Sequence, residues 1–227
     1  MPLTLPPKPG KPAPLHPMVE RAAGGELPDW AVAGPRRREH IERVRRLLER
    51  WAEELQLPER ECIRWCASGT LHDALRDAPP RELRPRVPPS LRHLPGKVLH
   101  GPAAAVRLRK EGVDDPGLLR AVAYHTVGHP RLDAAGQALF VADVAEPGRR
   151  DRVEWRRDLR DRFPHQSAEV LVEVIRARLT WQLEAGQRLD PRSVRFWNDR
   201  GAPEVGAPEA GAQGAGSPEA GSQGTGP

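Results

Sequence analysis

Four histidines (His40, His72, His100 and His125) and two aspartates (Asp73 and Asp143) stand among apolar neighbours at well-separated points of the chain. A single histidine on an apolar face is ordinarily a satisfied core residue. Several imidazoles and two carboxylates in one small domain are costly to bury without partners, which points to a shared metal ion. An ion held this way acts as a Lewis acid and acidifies a bound water. The adjacent pair His72-Asp73 adds a constraint. Neighbouring helical residues diverge by about 100 degrees, so both can face one ion only at a distorted or terminal turn.

The elements that must position these groups read as helices. From 36 to 57 the residues Ile41, Val44, Leu47, Leu48, Trp51 and Leu55 recur at steps of three and four, one buried stripe. His40 lies on it and faces the core side. A second helix is predicted over 60–75, with His72 and Asp73 near its end. Between Ala78 and Leu99 six prolines forbid a long helix, so the chain loops there. Pro102 suits the first turn of a new helix, with His100 just ahead of it. Leu118, Val122 and His125 share a face of the next helix, and Leu139, Ala142 and Asp143 sit together on the one after. Ser167 is expected to cap a long final helix ending near Gly186. No segment alternates apolar and polar residues for long, and the fold class is therefore all-α.

The 227 residues suit one domain, expected over 29–200. Proline density marks 1–28 as a disordered arm, and the near-repeat GAPEAGAQG and GSPEAGSQG marks 201–227 as a disordered tail. There is no apolar run of membrane-spanning length and no signal-peptide core, so a cytoplasmic, non-membrane protein is expected. Cys62 and Cys66, four apart, read as packing residues. The six tryptophans are assigned mostly to the core. The net charge of +5 comes from arginine, in Arg36-Arg37-Arg38 and in the stretch from Arg149 to Arg162. Acidic residues interleave the second stretch, which suits a solvated helix face; binding of polyphosphate or RNA is the other reading.

A histidine on a first helix, then His-Asp, then a distant aspartate resembles the HD superfamily of metal-dependent phosphohydrolases. More narrowly, GTLHDAL, VLHGPAAA, AVAYHTVGHP, ALFVADVAEPGR and RLDPRSVRFWN, in that order, resemble the motifs of the YqeK family of symmetrical bis(5'-nucleosyl)-tetraphosphatases, over about residues 36–198. The resemblance implies an HD-domain helical bundle and cleavage of diadenosine tetraphosphate into two ADP. It implies His40, His72, Asp73 and Asp143 as metal ligands in a mononuclear or dinuclear iron site; manganese, cobalt or zinc would suit the same ligands. By the same analogy Asp73 bridges metal and orients the attacking water, while His100 and His125 lie beside it against a second metal or the phosphates. Thr126, His129 and Arg149 are further substrate-binding candidates. For Arg149, a phosphate fork and a surface ion pair with Glu146 or Asp151 are both open. The competing functions are another HD activity, on a nucleoside monophosphate or a cyclic nucleotide, and an RNA- or ribosome-binding protein with incidental hydrolysis. The partner expected is a nucleotide substrate; monomer and homodimer are both open.

Overall fold

The computed structural model describes residues 14–201, and the outer parts of the two expected arms lie outside them. Among the described residues there are ten α-helices and no strand. Helix α1 (Pro17–Ala23) lies within the stretch whose prolines suggested an arm. His16 caps it, accepting from the Met18 amide, and Val19 and Ala22 are buried. Pro17 sits in the first turn, where its missing amide hydrogen is not needed. Proline there starts a helix rather than forbidding one, so the ordered domain begins earlier than residue 29.

Helix α2 (Pro35–Glu54) buries the expected stripe, including His40. Helix α3 (Glu59–Leu71) ends at Leu71, with His72 as its C-cap. The proline-dense segment holds the four-residue α4 (Pro80–Leu83) and three single 3-10 turns up to Val98. Leu83, Val87, Leu91, Leu94 and Val98 pin it to the core at nearly regular intervals. Helix α5 (His100–Lys110) begins at His100 itself rather than after it, with Pro102 inside its first turn. Helices α6 (Pro116–Tyr124) and α7 (Ala134–Ala145) are capped by Asp115 and Asp133, whose carboxylates accept from the amides of Leu118 and Gly136.

Helix α8 (Val153–Arg162) precedes α9 (Ser167–Glu184). Ser167 is the first helical residue of α9 and makes no cap; the preceding Gln166 makes no side-chain cap bond either. Nor is α9 the last helix, because Asp190 caps α10 (Pro191–Arg200), accepting from the Arg192 amide. The sequence pattern missed α10 because only Ser193 and Phe196 of its ten residues are buried.

The interior consists of two apolar clusters. One gathers α2, α7, α8 and α9 with Phe196 of α10, around Trp51, which stacks on Phe163 at 4.1 Å. The other gathers α1, α3, α5, α6 and the proline-rich segment. His40 and Asp143 come from helices of the first cluster, and His72, Asp73, His100 and His125 from the second, so the ionisable centre lies at the seam between them. Cys62 and Cys66 are free and pack as expected. No helix among the described residues is long and apolar enough to cross a membrane.

Candidate metal centre

His72 and Asp73 sit where the chain leaves α3. The His72 amide still donates to Ser68 O, but the residues after it form turns, and this terminal geometry lets both side chains face inward. Close helix packing then brings the other ligands in. At Gly69 an added Cβ would lie 2.9 Å from Arg45 Cα, so α3 touches the backbone of α2 where His40 stands. At Gly101 a Cβ would lie 2.7 Å from Val122 O, so α5 touches α6 near His125. Each contact between two histidine-bearing helices thus depends on a glycine next to, or three residues before, one of those histidines.

The four imidazoles share one orientation. His72 Nδ1 donates to Gly69 O at 2.7 Å, His100 Nδ1 to Lys97 O at 2.9 Å and His125 Nδ1 to Val122 O at 2.9 Å. A carbonyl oxygen can only accept, so Nδ1 carries the hydrogen and each Nε2 presents a lone pair. His40 Nδ1 faces Glu146 Oε1 at 3.2 Å in the same way. The Nε2 atoms converge in two pairs, His40 with His72 at 3.4 Å and His100 with His125 at 3.1 Å. Asp73 lies between the pairs. Its Oδ2 is 3.7 Å from His40 and 3.5 Å from His72, and its Oδ1 is 2.9 Å from His100 and 3.6 Å from His125. Asp143 Oδ1 adds a fourth group to the first set, 3.3 Å from His40 Nε2.

Facing lone pairs repel unless a proton or a cation lies between them, and rings fixed through Nδ1 are how metal-ligating histidines are held. Burial lowers the His40 pKa, but its hydrogen bonds to Asp143 and Glu146 outweigh that and raise it to about 9, so this ring holds a proton that a bound ion would displace. The residues present therefore fit divalent ions. Among the described residues, two groups of three ligand atoms are close enough to share an ion, His40, His72 and Asp73 in one and Asp73, His100 and His125 in the other.

Burial alone would raise the pKa of Asp73, but the imidazoles of His72, His100 and His125 outweigh it and hold the carboxyl well below the usual range. Burial also works against ionisation of Asp143, and is outweighed by His40, Arg178 and Arg149. Both are carboxylates at neutral pH. Burial pushes the His100 pKa down, which keeps that imidazole neutral and able to ligate.

A cavity of about 1050 Å³ adjoins the centre, lined by Asp73, His100, His125 and Asp143 and also by Trp181, Leu189 and Pro191. Thr126 and Arg149 line it. Arg149 turns inward rather than to Asp151: its Nη2 donates to Asp143 Oδ1 at 2.9 Å and its Nε to Asp143 O at 2.9 Å, with Glu146 at 3.9 Å. His129 is not brought to this group. Its ring packs on Tyr124, centroids 4.6 Å apart, and its Nδ1 accepts from the Arg131 amide.

Three residues at the centre were not singled out from the sequence. Glu146 is buried, accepts from Arg43 Nε at 2.7 Å and holds His40. Arg37 Nη1 donates to Asp73 Oδ2 at 2.6 Å. Arg178 Nη2 donates to Asp143 Oδ2 at 2.7 Å and its Nη1 to Thr126 O at 2.5 Å, while the guanidinium lies 4.5 Å above the Phe140 ring.

Residues 37–148 match the model of the HD domain family. A symmetrical bis(5'-nucleosyl)-tetraphosphatase of Staphylococcus aureus is 39% identical over 54 residues, 23% of this chain and 28% of that protein. The protein of the same name from Bacillus subtilis is 31% identical over 88 residues, 36% of this chain and 47% of its own length. The matched segments thus span less than half of these curated relatives. The crystal structure of a Clostridium acetobutylicum "predicted HD superfamily hydrolase involved in NAD metabolism" superposes with a TM-score of 0.63 at 20% identity, covering 73% of this chain and 89% of that one, which is a likeness of fold.

Proposed function

Since the chain belongs, through residues 37–148, to the HD domain family, we propose that this hydrolase cleaves a dinucleoside polyphosphate symmetrically, diadenosine tetraphosphate giving two ADP. The observation that carries this reading is the double set of inward-facing imidazoles joined by Asp73, beside a large cavity with arginines on its walls. The names of the partial relatives support the choice of substrate.

His40, His72, Asp73 and Asp143 would hold one ion, and Asp73, His100 and His125 a second. Ions bound there supply neutralisation of phosphate charge and an activated water. Iron is the proposal that the family resemblance carries, and manganese, cobalt or zinc would suit the same mixed imidazole and carboxylate set. The residues of the chain do the rest. Asp73, ionised and between the two sets, would orient the attacking water. Arg149 offers a planar fork to phosphate oxygens at the edge of the centre, and the Thr126 hydroxyl offers one more donor. Arg37 and Arg178 pair with Asp73 and Asp143 and hold those carboxylates in place.

The test is to incubate the metal-replete protein with diadenosine tetraphosphate beside Asp73→Ala and to separate the nucleotides by chromatography. Two ADP from the wild type and none from the variant are expected. No ADP from either protein, with phosphate released instead from AMP or a cyclic nucleotide opened, would replace this reading by another HD activity.

A further inference from the structure

A second cavity, of about 600 Å³, also reaches the centre. It is bounded by Gly34, Arg36 and Asp77 on one side and by His40, Glu146 and Arg149 on the other. Arg37 and Arg149 line both cavities, and these are the arginines whose guanidiniums hold Asp73 and Asp143. Arg37 and Arg149 are therefore the wall that the two chambers share, with His40 facing the smaller one and Asp73, His100, His125 and Asp143 the larger. Both volumes are on the scale of pockets that take small organic ligands, roughly 300–1,000 Å³.

From this arrangement we infer that the two chambers seat the two halves of one substrate, with the bridging phosphates lying across the shared wall. The inference rests on the proposed symmetrical reaction and deepens it. A phosphomonoester has one organic end and needs one chamber. A substrate cut at its middle has a nucleoside diphosphate on each side of the scissile bridge, and both sides need room. The larger chamber offers the Trp181 ring and Leu94, Pro95 and Leu189 to one nucleoside. The smaller one offers polar groups. Arg36 is exposed and pairs with no carboxylate among the described residues, so it is free to pair with the phosphates of the second half. Asp77 presents a carboxylate to its ribose hydroxyls or base edge, alongside the Gly34 amide that it accepts from at 2.7 Å.

The specific claim is that the smaller chamber is a nucleoside diphosphate site. It is tested by titrating the metal-loaded protein calorimetrically with ADP. Two ADP per chain are expected for the wild type. Gly34 has φ −72° and ψ 174°, a backbone any residue adopts, and a Cβ there meets only Asp77 Oδ2 at 3.4 Å. Gly34→Phe is thus expected to fill the smaller chamber and lower the stoichiometry to one. Arg36→Glu changes an exposed residue, leaves the fold alone and reverses a phosphate-facing charge. It should weaken one of the two ADP sites about tenfold or more and leave the other unchanged. One ADP per chain in the wild type overturns the inference, and so do two ADP sites that neither variant disturbs. If the wild type binds two ADP, one of them sensitive to both variants, yet releases no ADP from diadenosine tetraphosphate, the symmetrical reaction is wrong while the chamber assignment stands.

Discussion

Replacing Glu146 by glutamine isolates what the buried carboxylate does for the centre. Glu146 accepts from three donors: His40 Nδ1 at 3.2 Å, Arg43 Nε at 2.7 Å and the Gly148 amide at 2.8 Å. Burial raises its pKa, but His40, Arg43 and the Gly148 amide outweigh that and bring it to about 2, so it is charged throughout the working range. Glutamine keeps the shape and one acceptor oxygen but loses the charge, and charge-assisted hydrogen bonds are roughly twice as strong as neutral ones. Losing the outer partner of a metal-ligating histidine costs about 10–100-fold in metal affinity, or about 1.4–2.8 kcal/mol. Only the ion served by His40 should feel it, because the Nδ1 atoms of His100 and His125 are held by backbone carbonyls far from Glu146 in sequence. Calorimetric titration with Mn²⁺ should resolve one weakened and one unchanged site. Arg43→Ala removes one of the three partners and leaves the His40 contact, so it should shift affinity less. Equal affinities for wild type and Glu146→Gln would refute the orienting role and leave Glu146 as a counter-ion for Arg43.

Three further outcomes follow from the packing and the charges. Gly101→Ala puts a Cβ 2.7 Å from Val122 O, where backbone cannot give way; overpacking should destabilise by about 1–3 kcal/mol in urea unfolding and weaken ion binding at His100 and His125, and a variant as stable as wild type counts against the close approach of α5 and α6. Arg178→Met keeps the volume over Phe140 but removes a buried cation from Asp143; because Arg149 still pairs there, the loss on chemical denaturation should fall at or below the roughly 3–5 kcal/mol of a broken buried pair, and no loss at all would mean the pair contributes nothing net. His129 has its pKa pushed down from 6.5 to about 4, first by burial and then by Arg120, Arg131 and Arg192. The unfolded chain therefore binds more protons between those values, and this contribution to stability is complete above pH 6.5 and fades as pH falls toward 4. His129→Gln should flatten that part of the pH–stability curve, and an unchanged curve would place the acid sensitivity elsewhere.

The histidines and aspartates that the structure gathers at the centre were legible because each carries a local signal, an ionisable group on an apolar helical stripe, and because the motifs occur in a familiar order. The terminal-turn constraint on His72-Asp73 was legible from helix geometry alone, and α3 does end there. Glu146, Arg37 and Arg178 were harder, since charged residues near a helix end or in an arginine-rich chain look like surface. A signal existed all the same. Arg37 precedes His40 by three, Glu146 follows Asp143 by three, and Arg178 continues the buried Leu171, Val174 and Ile175 of α9. Charges three or four residues from a ligand, on the face the ligand uses, are the ones to suspect. What no local pattern held was the boundary at α1 and the exposed α10, where tertiary contacts decide.

The arginine stretch after α7 shows how such a centre is balanced. Asp143 and Glu146 stand at the C-terminal end of α7, where the helix dipole already places negative charge, so two carboxylates there are unfavourable without cations. Reading Arg149–Arg162 as a solvated face accounts for Arg150, Arg152 and Arg157, which are exposed. It also covers Arg162, which pairs with Asp158 and Glu173 near the surface, but not the remaining three. Arg149 Nε takes the Asp143 carbonyl, Arg156 that of Val144 and Arg160 that of Ala145, the last at 2.5 Å. These three close the carbonyl end of the helix that bears the carboxylates. Part of the net positive charge is thus spent inside the molecule, holding an acidic centre in place, and the chain's basic composition by itself is a weaker sign of an RNA partner than the count of arginines suggests.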